Sequence, residues 1–211
     1  MAHPHLIYFA DPMCSWCWGF SPVITGVERR HGEDLPIRLV LGGLRPGTTQ
    51  AMAESDKSSI REHWEHVHQA SGQPFDFAFF QREGFVYDTE PACRAVVVIR
   101  KRSMTDALAA LRRIHRAFYA QNRDVTNADT LADIAAELGW SREEFLADFA
   151  SAWAIAETQQ DFSLTQQAGV SGFPTLIAGN DNDQSHVLIT HGFQRADLVE
   201  ATLDKWLASR E

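Results

Sequence analysis

Hydrophobic and polar positions change their period along this chain, and the changes divide it. His5 to Ala10 (HLIYFA) is a short apolar, aromatic run of strand length. Asp11-Pro12 breaks it. A helical period begins near Cys14 and lasts to about Arg30. Pro36 to Leu41 (PIRLVL) is a second strand-length run, closed by Gly42-Gly43. Strand, helix and strand at this spacing predict a βαβ unit with parallel strands.

From Pro46 to Gln167 the alternation disappears. Ser58 to Ala70, Ala92 to Arg102, Thr105 to Gln121, Ala128 to Leu138 and Ser141 to Trp153 all show helical spacing and good helix formers. Ser141 with Glu144 fits a capping box, and Gly139 stands where a helix would stop. Residues 46–167 are therefore expected to form an all-helical insertion in an α/β frame built from 1–45 and 168–211. After a last helix ending near Gly169, Pro174 to Ala178 and His186 to Thr190 read as strands joined by a turn at Asn180-Asp181-Asn182-Asp183. Ala196 to Ser209 reads as a closing helix, with Leu198, Val199, Leu203, Trp206 and Leu207 on its inner face.

Composition narrows the function classes. Over 211 residues, 45 % hydrophobic content is enough for a sizeable core without disulfide staples. A net charge of −9 repels phosphate backbones and argues against nucleic-acid binding. The short basic run Arg100-Lys101-Arg102 reads as the solvated end of a helix. No apolar stretch approaches a membrane span, and the first residues lack the pattern of a secretory leader. The expectation is a cytoplasmic protein with no membrane partner.

Three cysteines remain to be explained: Cys14, Cys17 and Cys93. They are too few for a disulfide scaffold, and the C-x-x-C spacing of the first two suggests redox or metal chemistry. The pair falls at the strand-to-helix turn. Unpaired backbone N–H groups and the positive end of the helix dipole there favour thiolate over thiol at Cys14. At about 100° per residue from Cys14, Cys17 falls at about 300°, at the edge of the face made by Phe20, Ile24 and Val27 at about 220–280°. This predicts an exposed attacking thiol, Cys14, and a half-buried resolving thiol, Cys17. Ser15-Trp16 between them brings no positive charge, which predicts a less oxidising pair than one holding a histidine. Pro22 inside the helix removes one backbone bond and predicts a kink.

A metal reading finds little support. Structural zinc needs four Cys or His ligands, and His63, His66 and His68 lack the i, i+4 pairing of a zincin helix. Neither a metal nor another cofactor is expected. Cys93 reads as a buried cysteine, with a third redox thiol as the alternative. Asp11 reads as a cap of the turn before the helix, with a proton acceptor for Cys17 as the alternative; Arg45 reads as a surface arginine, with a place near the thiolate as the alternative; and Trp18 reads as either core or a contact to the insertion.

Three features together resemble the DsbA family of thioredoxin-fold proteins. Cys14-Ser15-Trp16-Cys17 follows the first strand, a long helical stretch interrupts the chain, and Gly172-Phe173-Pro174-Thr175 opens the third strand. The segment DPMCSWCWGF is most similar to the soluble, cytoplasmic branch of predicted disulfide isomerases, close to the FrnE-like proteins. The resemblance implies a thioredoxin-like fold with a large all-helical insertion, and a cis Pro174 packed against the cysteine pair. It also implies a Phe173 backbone that pairs with substrate and a substrate surface that includes Ser15 and Trp16. Expected substrates are protein or small-molecule disulfides and thiols, glutathione among them. The missing histidine favours reductase or isomerase action over strong oxidase action. Two alternatives stay open. A glutathione-dependent isomerase or transferase could use the same scaffold, although such enzymes work with a lone Ser or Cys. A non-catalytic module could capture a peptide or metal in the groove.

Overall fold

The computed structural model describes residues 4–180 and 185–209. Four strands form one mixed sheet in the order β2-β1-β3-β4, with β1 at Pro4–Ala10, β2 at Ile37–Leu41, β3 at Thr175–Asn180 and β4 at His186–His191. β1 runs parallel to β2, as the spacing predicts, and antiparallel to β3, which pairs antiparallel with β4. The expected turn through Asp181, Asn182 and Asp183 lies outside the described residues. The arrangement is the α/β, thioredoxin-like one with helices inserted between β2 and β3.

Helix α1 (Ser15–His31) crosses between β1 and β2. Cys17, Phe20, Ile24 and Val27 bury its inner face. Six helices separate β2 from β3: α2 (Glu54–Ser71), α3 (Glu90–Arg100), α4 (Met104–Tyr119), α5 (Ala128–Ala136), α6 (Arg142–Phe149) and α7 (Ala152–Gln167). The predicted helix Ser141–Trp153 is in fact two. Ser151 ends the run by accepting the Ala154 N–H at 3.1 Å and so starts α7. Helix α8 (Ala196–Ala208) buries Val199, Leu203 and Trp206, but Leu198 faces out at 53 % exposure.

Two devices join the inserted helices to the sheet layer. Gly19 lets α2 approach α1, since a Cβ there would stand 2.9 Å from Val67 Cγ1. Pro22 does not break α1; its absent N–H leaves the Trp18 carbonyl free, and Gln73 Nε2 donates to that carbonyl at 3.2 Å. The second device serves β2, an edge strand. Leu39 and Leu41 turn their backbone groups away from β1. Asp161 accepts the Leu41 N–H at 2.9 Å, Thr165 donates to the Leu41 carbonyl at 3.2 Å, and Arg100 donates to the Leu39 carbonyl at 3.0 Å. Arg100 also forms a two-pronged pair with Asp161 at 2.7 and 3.1 Å, so it is not the solvated helix end the sequence suggested. Among the described residues no helix is long and apolar enough to cross a membrane.

Candidate active site

β1 ends at Ala10, and the chain must turn within four residues to start α1. Asp11 builds that turn. Its Oδ1 accepts the Met13 N–H at 2.8 Å and its carbonyl accepts the Cys14 N–H at 3.1 Å. Its Oδ2 accepts the Leu44 N–H at 2.7 Å, which ties this turn to the one after β2. Cys14 becomes the N-cap of α1, with extended backbone angles and no side-chain cap bond. Its carbonyl accepts the Trp18 N–H at 3.1 Å. Burial raises the Asp11 carboxyl above its ordinary value, and the Leu44 and Met13 amides pull the other way.

The three cysteines are unbonded thiols. Cys14 is 6 % exposed and Cys17 is fully enclosed, so the ranking of the two holds while the expectation of an exposed Cys14 does not. Burial raises the Cys17 thiol well above its usual range, and the adjacent Cys14 adds to the shift. Cys93, on α3, is fully buried and donates to Asp11 Oδ2 at 3.4 Å. Burial and then the nearby Asp11 raise its thiol above the usual range.

Opposite Cys14 lies the segment before β3. The Phe173–Pro174 peptide bond is cis, and Cys14 Sγ stands 3.7 Å from the Phe173 carbonyl, to which it donates. The Phe173 ring rests on Gly42, where a Cβ would come within 2.2 Å of it. Ser15 and Trp16 are half-buried, and the Trp16 ring packs on Phe193 at 5.6 Å. Trp18 turns away, donating to the Pro74 carbonyl at 3.0 Å and stacking on Tyr119 at 6.5 Å. It is both core and contact to the inserted helices.

A cavity of about 250 Å³ opens beside Cys14, lined also by Ser15, Trp16 and Phe173. Pro174 is buried next to Phe173 and is not part of that lining. Several residues set aside or missed by the sequence reading complete the site. Arg45 and His63 line the cavity, as does Tyr87, whose hydroxyl donates to the Met13 carbonyl at 2.8 Å. His115 is fully buried, with Nε2 3.1 Å from the Asp11 carbonyl, and burial lowers its pKa to about 4. Tyr8 is buried beneath the pair, its hydroxyl pushed up by burial first and the two cysteines next. Period-two alternation in β1 could have placed Tyr8 inside with Leu6 and Ala10. Nothing local could have flagged Tyr87, which sits on a connecting loop. Among the described residues no group of three or more His, Cys, Asp or Glu could hold a metal ion.

Comparison with known proteins bears on this geometry. A proposed protein disulfide isomerase from Nitrosomonas europaea superposes with a TM-score of 0.91 at 36 % identity, covering 99 % of this chain and 100 % of that one. The cytosolic disulfide reductase DsbM from Pseudomonas aeruginosa superposes at 0.77 with 28 % identity, covering 97 % and 98 %. The same reductase has also been solved with GSH, at a TM-score of 0.76, 26 % identity and coverage of 97 % and 99 %. Among curated proteins, the ClpXP adapter protein SpxH of Bacillus subtilis (strain 168) is 24 % identical over 200 residues, 94 % of this chain and 66 % of the relative. Across the first three such relatives, the chain spans only 58–66 % of their length. The model of the DSBA-like thioredoxin domain matches residues 5–204, from β1 into α8. With that match running through the cysteine turn and the strand that faces it, this chain belongs to the DSBA-like thioredoxin domain family.

Proposed function

We propose that this chain is a disulfide reductase of a reducing, cytoplasmic setting. Cys14 is the attacking thiol, Cys17 resolves the mixed disulfide, and Ser15, Trp16, Phe173 and Pro174 shape the path of the substrate. One observation carries the reading: Cys14 caps α1 against the Phe173 carbonyl while Cys17 lies wholly enclosed behind it. Attack on a disulfide is by a thiolate, and burial keeps Cys17 protonated until the mixed disulfide has formed. The uncharged Ser15-Trp16 pair supports reduction over strong oxidation, and the likeness to the Pseudomonas reductase supports the same direction.

The test is reduction of a protein disulfide such as that of insulin, with thiol trapping read by mass spectrometry. Cys14→Ser is expected to abolish turnover. Cys17→Ser is expected to accumulate a stable mixed disulfide at Cys14. Full activity in both variants would overturn the proposal. A second reading, as a protease adapter, is favoured by the SpxH relatives alone. Delivery of a substrate to a ClpXP-type protease by a variant lacking both Cys14 and Cys17 would support it.

A further inference from the structure

The cavity beside Cys14 carries no acidic side chain in its lining. The chain carries a net −9, yet the eleven residues lining this cavity include no Asp or Glu and do include Arg45 and His63. Arg45 is held from both sides. Its N–H donates to Thr89 Oγ1 at 3.1 Å, and its carbonyl accepts the Thr89 N–H at 3.3 Å and the Thr48 hydroxyl at 3.0 Å. The guanidinium lies over the Tyr87 ring, 5.2 Å from the centroid. The Tyr87 hydroxyl in turn grips the Met13 carbonyl, one residue before Cys14. Arg100, Arg112 and Arg113 each close on a carboxylate, whereas Arg45 makes no ion pair among the described residues.

A guanidinium presents a planar fork of donors that fits a carboxylate in two-point fashion. At about 250 Å³ the cavity is below the ~300–1,000 Å³ of ordinary small-molecule sites, so it suits a compact thiol. We infer that Arg45 is a specificity-determining residue that binds a carboxylate of a small disulfide substrate, so that the site prefers anionic low-molecular-weight disulfides over neutral or cationic ones. The inference rests on the redox reading of Cys14. In the step concerned, the Cys14 thiolate attacks one sulfur of R–S–S–R, that bond breaks, and R–S⁻ leaves and takes up a proton. Cys17, once deprotonated, attacks the Cys14 sulfur of the mixed disulfide and expels the second R–S⁻. Two electrons have then passed from the protein dithiol to the disulfide.

The experiment is single-turnover oxidation of the pre-reduced protein by three probes: glutathione disulfide, bis(2-hydroxyethyl) disulfide and cystamine. These are anionic, neutral and cationic. The parent protein is expected to react fastest with glutathione disulfide and slowest with cystamine. Arg45→Gln should slow glutathione disulfide by about tenfold, as expected for one lost charge-assisted hydrogen bond. It should leave the neutral probe within about twofold of the parent rate. Arg45→Lys should recover part of the loss, because it restores the charge without the fork. Equal slowing of all three probes by Arg45→Gln would mark Arg45 as merely structural, and no slowing would remove it from the site; either result overturns the inference alone. If Cys14→Ser is oxidised as fast as the parent protein by all three probes, the redox reading falls and the inference falls with it.

Discussion

His115 sits on α4, a hundred residues from the cysteine turn in sequence, yet it touches the same Asp11 carbonyl that holds the Cys14 N–H. Enclosed against Trp18, its ring favours the neutral form, with a pKa of about 4 against an ordinary 6.5. The unfolded chain therefore binds the proton first as pH falls. The stability due to a neutral His115 is complete above pH 6.5 and is lost as pH drops towards 4, by about 3 kcal/mol. Asp11, whose carboxyl is raised, works in the opposite sense. Comparison with His115→Gln isolates the histidine: over that interval the parent protein should lose about 3 kcal/mol relative to the variant in urea unfolding. A flat difference would remove His115 from this role. At this scale Cys14, Cys17, Ser15, Trp16, Phe173 and Pro174 could be nominated from short motifs, because each motif is local. Arg45, just after Gly42-Gly43, could be placed near the thiolate only as the alternative to a surface arginine; Tyr87 and His115 could not be nominated, because only the packing of distant segments brings them to the turn.

Elements meet at the site through one small residue. Gly42 ends β2, and its lack of a side chain leaves the space that the Phe173 ring fills. Gly42→Ala would push that ring, and with it the carbonyl facing Cys14. Overpacking of this kind costs about 1–3 kcal/mol. Misplacement by about 1 Å near a reacting atom lowers rates by about 100-fold. A reductase assay should therefore show a loss approaching that size. Gly26→Ala, in open space on α1, should leave the rate unchanged and add about 0.5–1 kcal/mol of stability. Equal behaviour of the two variants would refute the argument. The sequence showed Gly42-Gly43 as a strand terminator, since turn chemistry is readable locally. It could not show what occupies the space. The break between α6 and α7 escaped for a related reason: Ala150 and Ser151 are tolerated inside helices, and only the Ser151 cap bond reveals the start of α7.

The whole molecule depends on the inserted helices to complete its sheet. Arg100 and Asp161, 61 residues apart in sequence, form a mostly buried pair with side-chain exposures of 18 % and 9 %. They also serve backbone groups of β2. Arg100→Met should cost about 3–5 kcal/mol, because it leaves a buried carboxylate without its partner. Adding Asp161→Asn should recover part of that by removing the charge while keeping an acceptor for the Leu41 N–H. Denaturant midpoints measure both, and a loss under about 1 kcal/mol for Arg100→Met would sink the argument. The alternation of periods made the βαβ start and the helical middle legible from sequence. Which helical side chains reach β2 depends on the tertiary path and was not. One margin of the sheet is thereby shut to recruitment by foreign extended segments, because its donors and acceptors are already engaged by side chains. Growth of this sheet into a multi-chain ribbon would have to begin at β4, or wait until α7 has peeled away.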